Sequence, residues 1–345
     1  MEEKTYVEGF HDKDAVKKVQ YNDLGKTGLR VSQLGIGTSS LGNCYEVVGE
    51  AADVEMVVEG VRLGLNYVDT APWYGNRKSE QVLGKALLHV LRKAYYIATK
   101  VGRYEPNFEK MFDFSAAKTI ESVDQSLQLL GLEYVDVIQV HDVEFADDIN
   151  QVILETLPAL EKVRQQGKAR FIGITSYCPD VLQYVLDNSS VKIDTVLNYA
   201  RSSLLDKSLQ EYIPRFQSAG VGIINASITS MGLLSSRGPQ SWHPAGYDIQ
   251  RACEAARALC KAEGVEIADL ALQSAIATPS ISCHLLGSTD APMLRASLAV
   301  AQRPATSREA SLGRRLNDEC FKNLKQRDWG MRDVEIYLRE RQRAS

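Results

Sequence analysis

Asp69 and Tyr74 stand five residues apart in the stretch VDTAPWYG, residues 68–75. An acid at the edge of an apolar run is costly unless a partner meets it. Lys100, in ATKVG at 98–102, ends another apolar run and supplies the opposite charge. A tyrosine hydroxyl ionises near pH ~10 and handles protons poorly at neutral pH. A nearby ammonium favours its phenolate, and the ammonium in turn needs a counter-ion, which Asp69 provides. His141, closing VDVIQVH at 135–141, adds a ring nitrogen that can orient a carbonyl or hydroxyl oxygen. Together these four types make an acid–base site. It adds or removes a proton at an oxygen while a hydride moves at the attached carbon.

Four such groups must be held at one place by the fold. Eight short apolar runs recur: 34–41, 66–71, 95–102, 135–141, 170–176, 194–200, 221–227 and 283–289. Several are apolar at nearly every position, as strands covered on both faces are. Between them lie helical patterns. Val54, Val57, Val58 and Val61 make one stripe in 52–64, and Ser115 and Gly131 cap 115–131. The stretches 153–167 and 179–188 read likewise, with Pro158 bending the first or marking its start. This alternation predicts an α/β fold, a (β/α)8 TIM barrel, over residues 20–330. A charged extension (1–19) precedes it and a polar tail (331–345) follows. A doubly wound sheet needs a Gly-x-Gly-x-x-Gly turn, but GIGTSSLG places its glycines at 35, 37 and 42. Residues 19–33 carry two short β-like runs about a Gly-Lys-Thr-Gly turn, read as an N-terminal hairpin capping one end of the barrel. A long loop, 228–246, followed by two helices, enlarges the C-terminal face. The charged run 315–328 reads as the outer face of a terminal helix.

In such barrels the active site lies at the C-terminal strand ends. Asp69, Lys100 and His141 end three successive strands, with Tyr74 one short loop beyond the first. Composition narrows the function classes. The 345 residues carry a net charge of −4, which does not invite nucleic acid. No apolar run of about 18 residues predicts a membrane span. Six scattered cysteines (Cys44, Cys178, Cys253, Cys260, Cys283, Cys320) fit reduced thiols in a cytoplasmic protein. The strand ends lack a cluster of carboxylates and histidines, so no metal is expected and a metal-dependent sugar isomerase ranks last.

Taken singly, each site residue has an ordinary structural explanation: a rim tyrosine, a structural Asp–Lys pair, a satisfied buried histidine. Jointly, with their flanking motifs, they resemble the catalytic tetrad of the aldo-keto reductases. The same family pattern is matched by LGxTGLxVSxLGxGT at 24–38, GxNxxDTAxxYGxxxSExxLGxAL at 64–87, GKxRxIGxTS at 167–176 and MGLL at 231–234. Within the family, KVGRY (100–104), HDVEF (141–145), MGLLSSRGP (231–239) and SWHPA (241–245) are similar to L-galactose and related L-sugar dehydrogenases.

The resemblance implies an NAD(P)-dependent oxidoreductase acting on a small sugar or aldehyde, as a monomer or weak homo-oligomer. It makes Tyr74 the general acid/base, with Lys100, Asp69 and His141 in support. Gly37 and Thr38 belong to its cofactor site. Thr175, Ser176 and Asn198 match positions holding the nicotinamide carboxamide. Ser227, Thr229, Gly232 and Leu233 match a strap on the pyrophosphate. Gly287, Ser288, Thr289, Met293 and Ser297 match the segment holding the adenosine end. Trp73, Trp242 and His243 are candidate substrate contacts. The pattern is broken in places: the strap reads Ser227-Ile228-Thr229 where the family has Ser-Pro-Leu, and the carboxamide pair is Thr175-Ser176 where Ser-Asn is common. The cations that NADPH-preferring members place at 287 and 293 are replaced by Gly287 and Met293, which favours NAD, though Arg295 is close by in sequence. The competing reading is a regulatory subunit that keeps this fold and senses the cofactor without turnover.

Overall fold

The computed structural model describes residues 3–44 and 49–344; residues 1, 2 and 345 of the expected terminal segments fall outside these. A hairpin of β1 (Tyr21–Asp23) and β2 (Arg30–Ser32) precedes a closed parallel barrel. The barrel strands are β3 (Leu34–Gly37), β4 (Tyr67–Asp69), β5 (Tyr96–Val101), β6 (Val135–Val140), β7 (Ala169–Ser176), β8 (Thr195–Tyr199), β9 (Gly222–Ala226) and β10 (Cys283–Gly287). Each lies on one of the eight apolar runs, and β10 pairs with β3 to close the ring. All six residues of β5 and of β6 are buried, as strands between a barrel interior and a helical shell must be.

Side chains alternate between the two faces of a strand. Tyr67, Tyr96, Ala98, Val137, Leu197, Ile224 and Leu285 point inward and form a separate apolar cluster in the barrel. The hairpin adds Leu24, Leu29 and Val31 to this cluster, so it plugs the end where Tyr67 and Tyr96 begin their strands. That is the N-terminal end, which leaves the opposite mouth open for chemistry.

The outer helices form where the sequence spacing places them. Ser115 accepts the Lys118 N–H at the start of helix Ala116–Leu130, and Gly131 ends it in the left-handed region at φ 67°. Pro158 sits in the first turn of helix Leu157–Gln165, directly after a π-turn over Val152–Thr156. Proline has no N–H to donate, and the widened turn accommodates that gap.

Two terminal features differ from expectation. Within the charged run 315–328, helix Ser307–Leu316 passes into a π-turn, Asn317–Phe321, and no helix resumes until Gly330. Phe321 and Trp329 are buried at either side of this break and draw the chain inward. The segment expected as a polar tail is helix Gly330–Ala344, with Val334 and Tyr337 buried. Tyr337 packs edge-on to Phe112 and Phe145, at centroid distances of 5.0 and 5.6 Å. At the other terminus, Thr5 and Val7 are buried, and Thr5 accepts a hydrogen bond from Asn66. Among the described residues no helix is long and apolar enough to cross a membrane.

Candidate active site

At the C-terminal mouth the ends of β4, β5 and β6 bring Asp69, Lys100 and His141 together. The Lys100 ammonium is buried and donates to Asp69 Oδ1, to the Thr70 carbonyl at 2.8 Å and to the Tyr74 hydroxyl at 3.3 Å. The other Asp69 oxygen accepts from Gln139 Nε2 at 2.8 Å. Burial of such a charge pair is tolerable only when the remaining lone pairs and protons are also met, and here they are. Sequence reasoning missed Gln139, yet its signal was present. It is two residues before His141 on β6, so alternation turns both inward.

Tyr74 is carried by the loop after β4, and that loop is pinned. Ser79 donates to the Thr38 carbonyl at 2.8 Å, and Arg77 reaches Ser122 at 3.0 Å and Glu80 at 3.2 Å. Gly75 lies in the left-handed region at φ 64°, with its backbone against Gly42. A Cβ on Gly75 would fall 2.2 Å from the Gly42 oxygen. Gly75→Ala is therefore expected to cost about 1–3 kcal/mol, combining strain and collision, and to lower kcat by displacing Tyr74. Denaturant melts with steady-state rates on the same preparation check this.

The His141 ring meets Tyr74 edge-on at 5.9 Å. Burial depresses the His141 pKa to about 3, with the Lys100 and Arg103 charges adding to it and Asp142 opposing. The imidazole is thus neutral, with one nitrogen donating and the other accepting. Between pH 6.5 and about 3 the unfolded chain binds a proton at this position that the folded chain refuses. The stability this represents is present above 6.5 and is lost as pH falls. The expected result is that His141→Gln loses less stability than the parent between pH 7 and pH 5, measured by denaturant unfolding at both.

Two cavities meet at Tyr74. One, of about 470 Å³, is lined by Tyr74, Lys100 and His141 and walled by Trp73, Tyr177, Tyr199, Trp242 and Met231. The other, of about 270 Å³, runs along Gly37, Thr38, Ser227, Thr229, Gly232, Gly287, Thr289 and Met293. Most of the expected cofactor residues therefore line one channel that reaches Asp69 and Tyr74. Tyr199 lines both cavities and was not foreseen.

Other expected residues sit differently. Thr175 lines the first cavity and exchanges hydrogen bonds with Asp142, at 2.8 Å to its N–H and 3.1 Å to its carboxylate. Ser176 accepts from the Cys178 N–H, and Asn198 donates to the Ser176 carbonyl at 2.9 Å. Both are fully buried, near the C-terminal ends of β7 and β8. Leu233 is buried in the core, and its carbonyl accepts from Arg257. The Ser288 side chain is buried beside the channel. Ser297 stands one turn beyond Met293 on helix Ala291–Ala301, away from the channel lining. Trp73 and Trp242 line the first cavity. His243 does not. Its ring bonds the Ala245 N–H at 3.0 Å and the Ser230 carbonyl at 3.2 Å, and it packs on Trp329 at 4.8 Å. Both ring nitrogens are satisfied by the backbone, so this histidine holds the loop together.

The Aldo/keto reductase family model matches residues 33–317, most of the chain. The chain belongs to the aldo-keto reductase family. Aldo-keto reductases are oxidoreductases that use nicotinamide cofactors, which accords with a channel leading to Tyr74 and the buried Lys100. This reductase is 43% identical to an L-galactose dehydrogenase of Arabidopsis thaliana, over 82% of this chain and 88% of the relative. It is 31% identical to a D-arabinose 1-dehydrogenase of Saccharomyces cerevisiae, over 71% of this chain and 75% of that one. Among solved structures it is similar to the holo form of an aldo-keto reductase from Bacillus halodurans. There the TM-score is 0.69 and the identity 30%, covering 86% of this chain and 96% of that chain.

Proposed function

We propose that this reductase is an aldose 1-dehydrogenase. It oxidises the anomeric carbon of an L-galactose-like sugar to the lactone, with Tyr74 as general base and NAD preferred over NADP. The observation that carries this reading is the Lys100 ammonium, buried between the Asp69 carboxylate and the Tyr74 hydroxyl where the two cavities meet.

The residues present fit a nicotinamide dinucleotide. The channel is lined by glycine, Ser and Thr residues together with Arg237, Gln240 and apolar side chains such as Ile228 and Leu286, and a side chain at Gly287 would meet nothing within 4 Å. The buried Asn198 Oδ1 and Ser288 Oγ have no hydrogen-bond partner among the described residues, so bonding to a ligand would cost neither a contact. Such a cofactor supplies the two-electron acceptor; the protein supplies position and charge. Tyr74, as phenolate, takes the proton from the anomeric hydroxyl. Lys100 stabilises that phenolate, and Asp69 with Gln139 fixes the ammonium. Neutral His141 orients the reacting oxygen. In the reverse direction Tyr74 returns the proton to a reduced carbonyl.

Cofactor choice follows from charge. Arg295, adjacent to the channel segment in sequence, is bonded to Glu59 at 3.1 Å. Asp290 caps helix Ala291–Ala301 by accepting the Met293 N–H at 2.7 Å, which sets a carboxylate at that helix start. A ribose 2′-phosphate there would meet like charge and no cation from Gly287 or Met293. With L-galactose as substrate, kcat/KM for NAD is expected to exceed that for NADP at least about tenfold, one charge-assisted hydrogen bond's worth. NADP preference would overturn the cofactor assignment. Tight nucleotide binding without turnover of sugars or aldehydes would overturn the dehydrogenase itself.

A further inference from the structure

The first cavity contains a charged cluster that proton transfer at Tyr74 does not require. Arg103 follows β5, and its guanidinium lies over the Trp73 ring at 4.2 Å. Its Nη1 donates to Asp142 Oδ2 at 2.7 Å, while its buried Nε–H has no partner among the described residues. Asp142 is held in the left-handed region at φ 54°, directly after His141, and its Oδ2 is 3.5 Å from His141 Nε2. Asp333, from the C-terminal helix, lines the same cavity. Burial raises the Asp333 pKa, and Arg103 and Tyr177 act against that rise. Burial and the neighbouring Asp142 push Glu144, which does not line the cavity, up to about 8, so at neutral pH it adds little charge beside Asp142.

A mainly apolar pocket for a simple aldehyde gains nothing from an Arg with a spare donor beside a carboxylate. The pair is already nearly shielded from water, so an apolar ligand filling the cavity would leave its unmet groups without a partner. A hydroxyl is donor and acceptor at once, and it satisfies the pair. The aromatic walls, Trp73 and Tyr177, suit the apolar face of a sugar ring. Asp142 Oδ2 is 3.5 Å from His141 Nε2, close enough for one sugar to present adjacent oxygens to the two residues.

We propose that Arg103 and Asp142 form a specificity subsite for the hydroxyl next to the reacting carbon, selecting α-hydroxylated sugars over analogues that lack this group. The proposal rests on the sugar-oxidising reading above. A site built to bond a hydroxyl rejects the analogue without it, because its own polar groups are then left unpaired.

The test compares oxidation of L-galactose and 2-deoxy-L-galactose by the wild type, Arg103→Lys and Asp142→Asn, with NAD. The wild type should favour L-galactose by about 100-fold or more in kcat/KM. Each substitution should shrink that ratio at least about tenfold. Arg103→Lys keeps the charge balance with Asp142, and both sugars are measured on one preparation, so any loss of folded protein cancels in the ratio. If the wild type oxidises both sugars equally, the subsite falls and the dehydrogenase stands. If the ratio is unchanged in both variants, Arg103 and Asp142 are structural and the subsite again falls. If the wild type oxidises neither sugar, the subsite and the dehydrogenase reading fall together.

Discussion

Tyr74→Phe is expected to lower kcat about 10²- to 10⁴-fold, the range that loss of a general acid–base group produces, while nucleotide affinity stays nearly unchanged. The substitution removes one oxygen. Tyr74 is one of many residues lining the second cavity, with Ser227, Thr229, Gly232, Gly287, Thr289 and Met293 among the others. The ring itself, and with it the edge-on contact to His141, is retained. Cofactor titration followed by protein fluorescence, beside steady-state rates, separates the two effects. Near-normal turnover in this variant would remove Tyr74 from the chemistry.

Lys100→Met carries the second large effect, and it acts on both stability and rate. Removing the ammonium leaves Asp69 buried, with only Gln139 donating to its carboxylate among the described side-chain bonds. Breaking one side of a buried ion pair typically costs about 3–5 kcal/mol. The rate should fall about a hundredfold or more at neutral pH, because the Tyr74 phenolate loses its nearest positive charge. The sign of the pH effect follows. Without the cation the phenol ionises at higher pH, so the rising limb of sugar oxidation moves upward. The double variant Asp69→Asn/Lys100→Met removes both charges. It should recover much of the stability, seen in denaturant melts, and none of the rate. Recovery of the rate would mean that the ammonium serves the fold alone.

The barrel was legible because strands buried on both faces are written as mostly apolar runs, such as Val135–Val140, which only Asp136 and Gln139 interrupt. Each polar residue ending such a run is then conspicuous, which is how Asp69, Lys100 and His141 stood out. Gln139 was readable by the same alternation. Other parts depend on contacts that no local pattern records. Arg103 lies in a loop, and its place is set by Trp73, Asp142, Phe112 and Phe145, which come from three other segments. His243 looked like a substrate contact because it neighbours Trp242. Its burial depends on Trp329, far along the chain, and on the turn that gives it the Ser230 carbonyl. The C-terminal helix is dense with charge, and that hid Val334 and Tyr337 at three-residue spacing, although the latter closes an aromatic cluster with Phe112 and Phe145.

The most direct measurement of the central claim uses L-galactose carrying deuterium at C1, incubated with NAD and the wild-type enzyme. The products are analysed by mass spectrometry. The account predicts one deuterium in the reduced nucleotide for each sugar consumed, with the sugar recovered as its lactone or the acid formed by hydrolysis. Reduced nucleotide without the label, or bound nucleotide with no reduction at all, would contradict it.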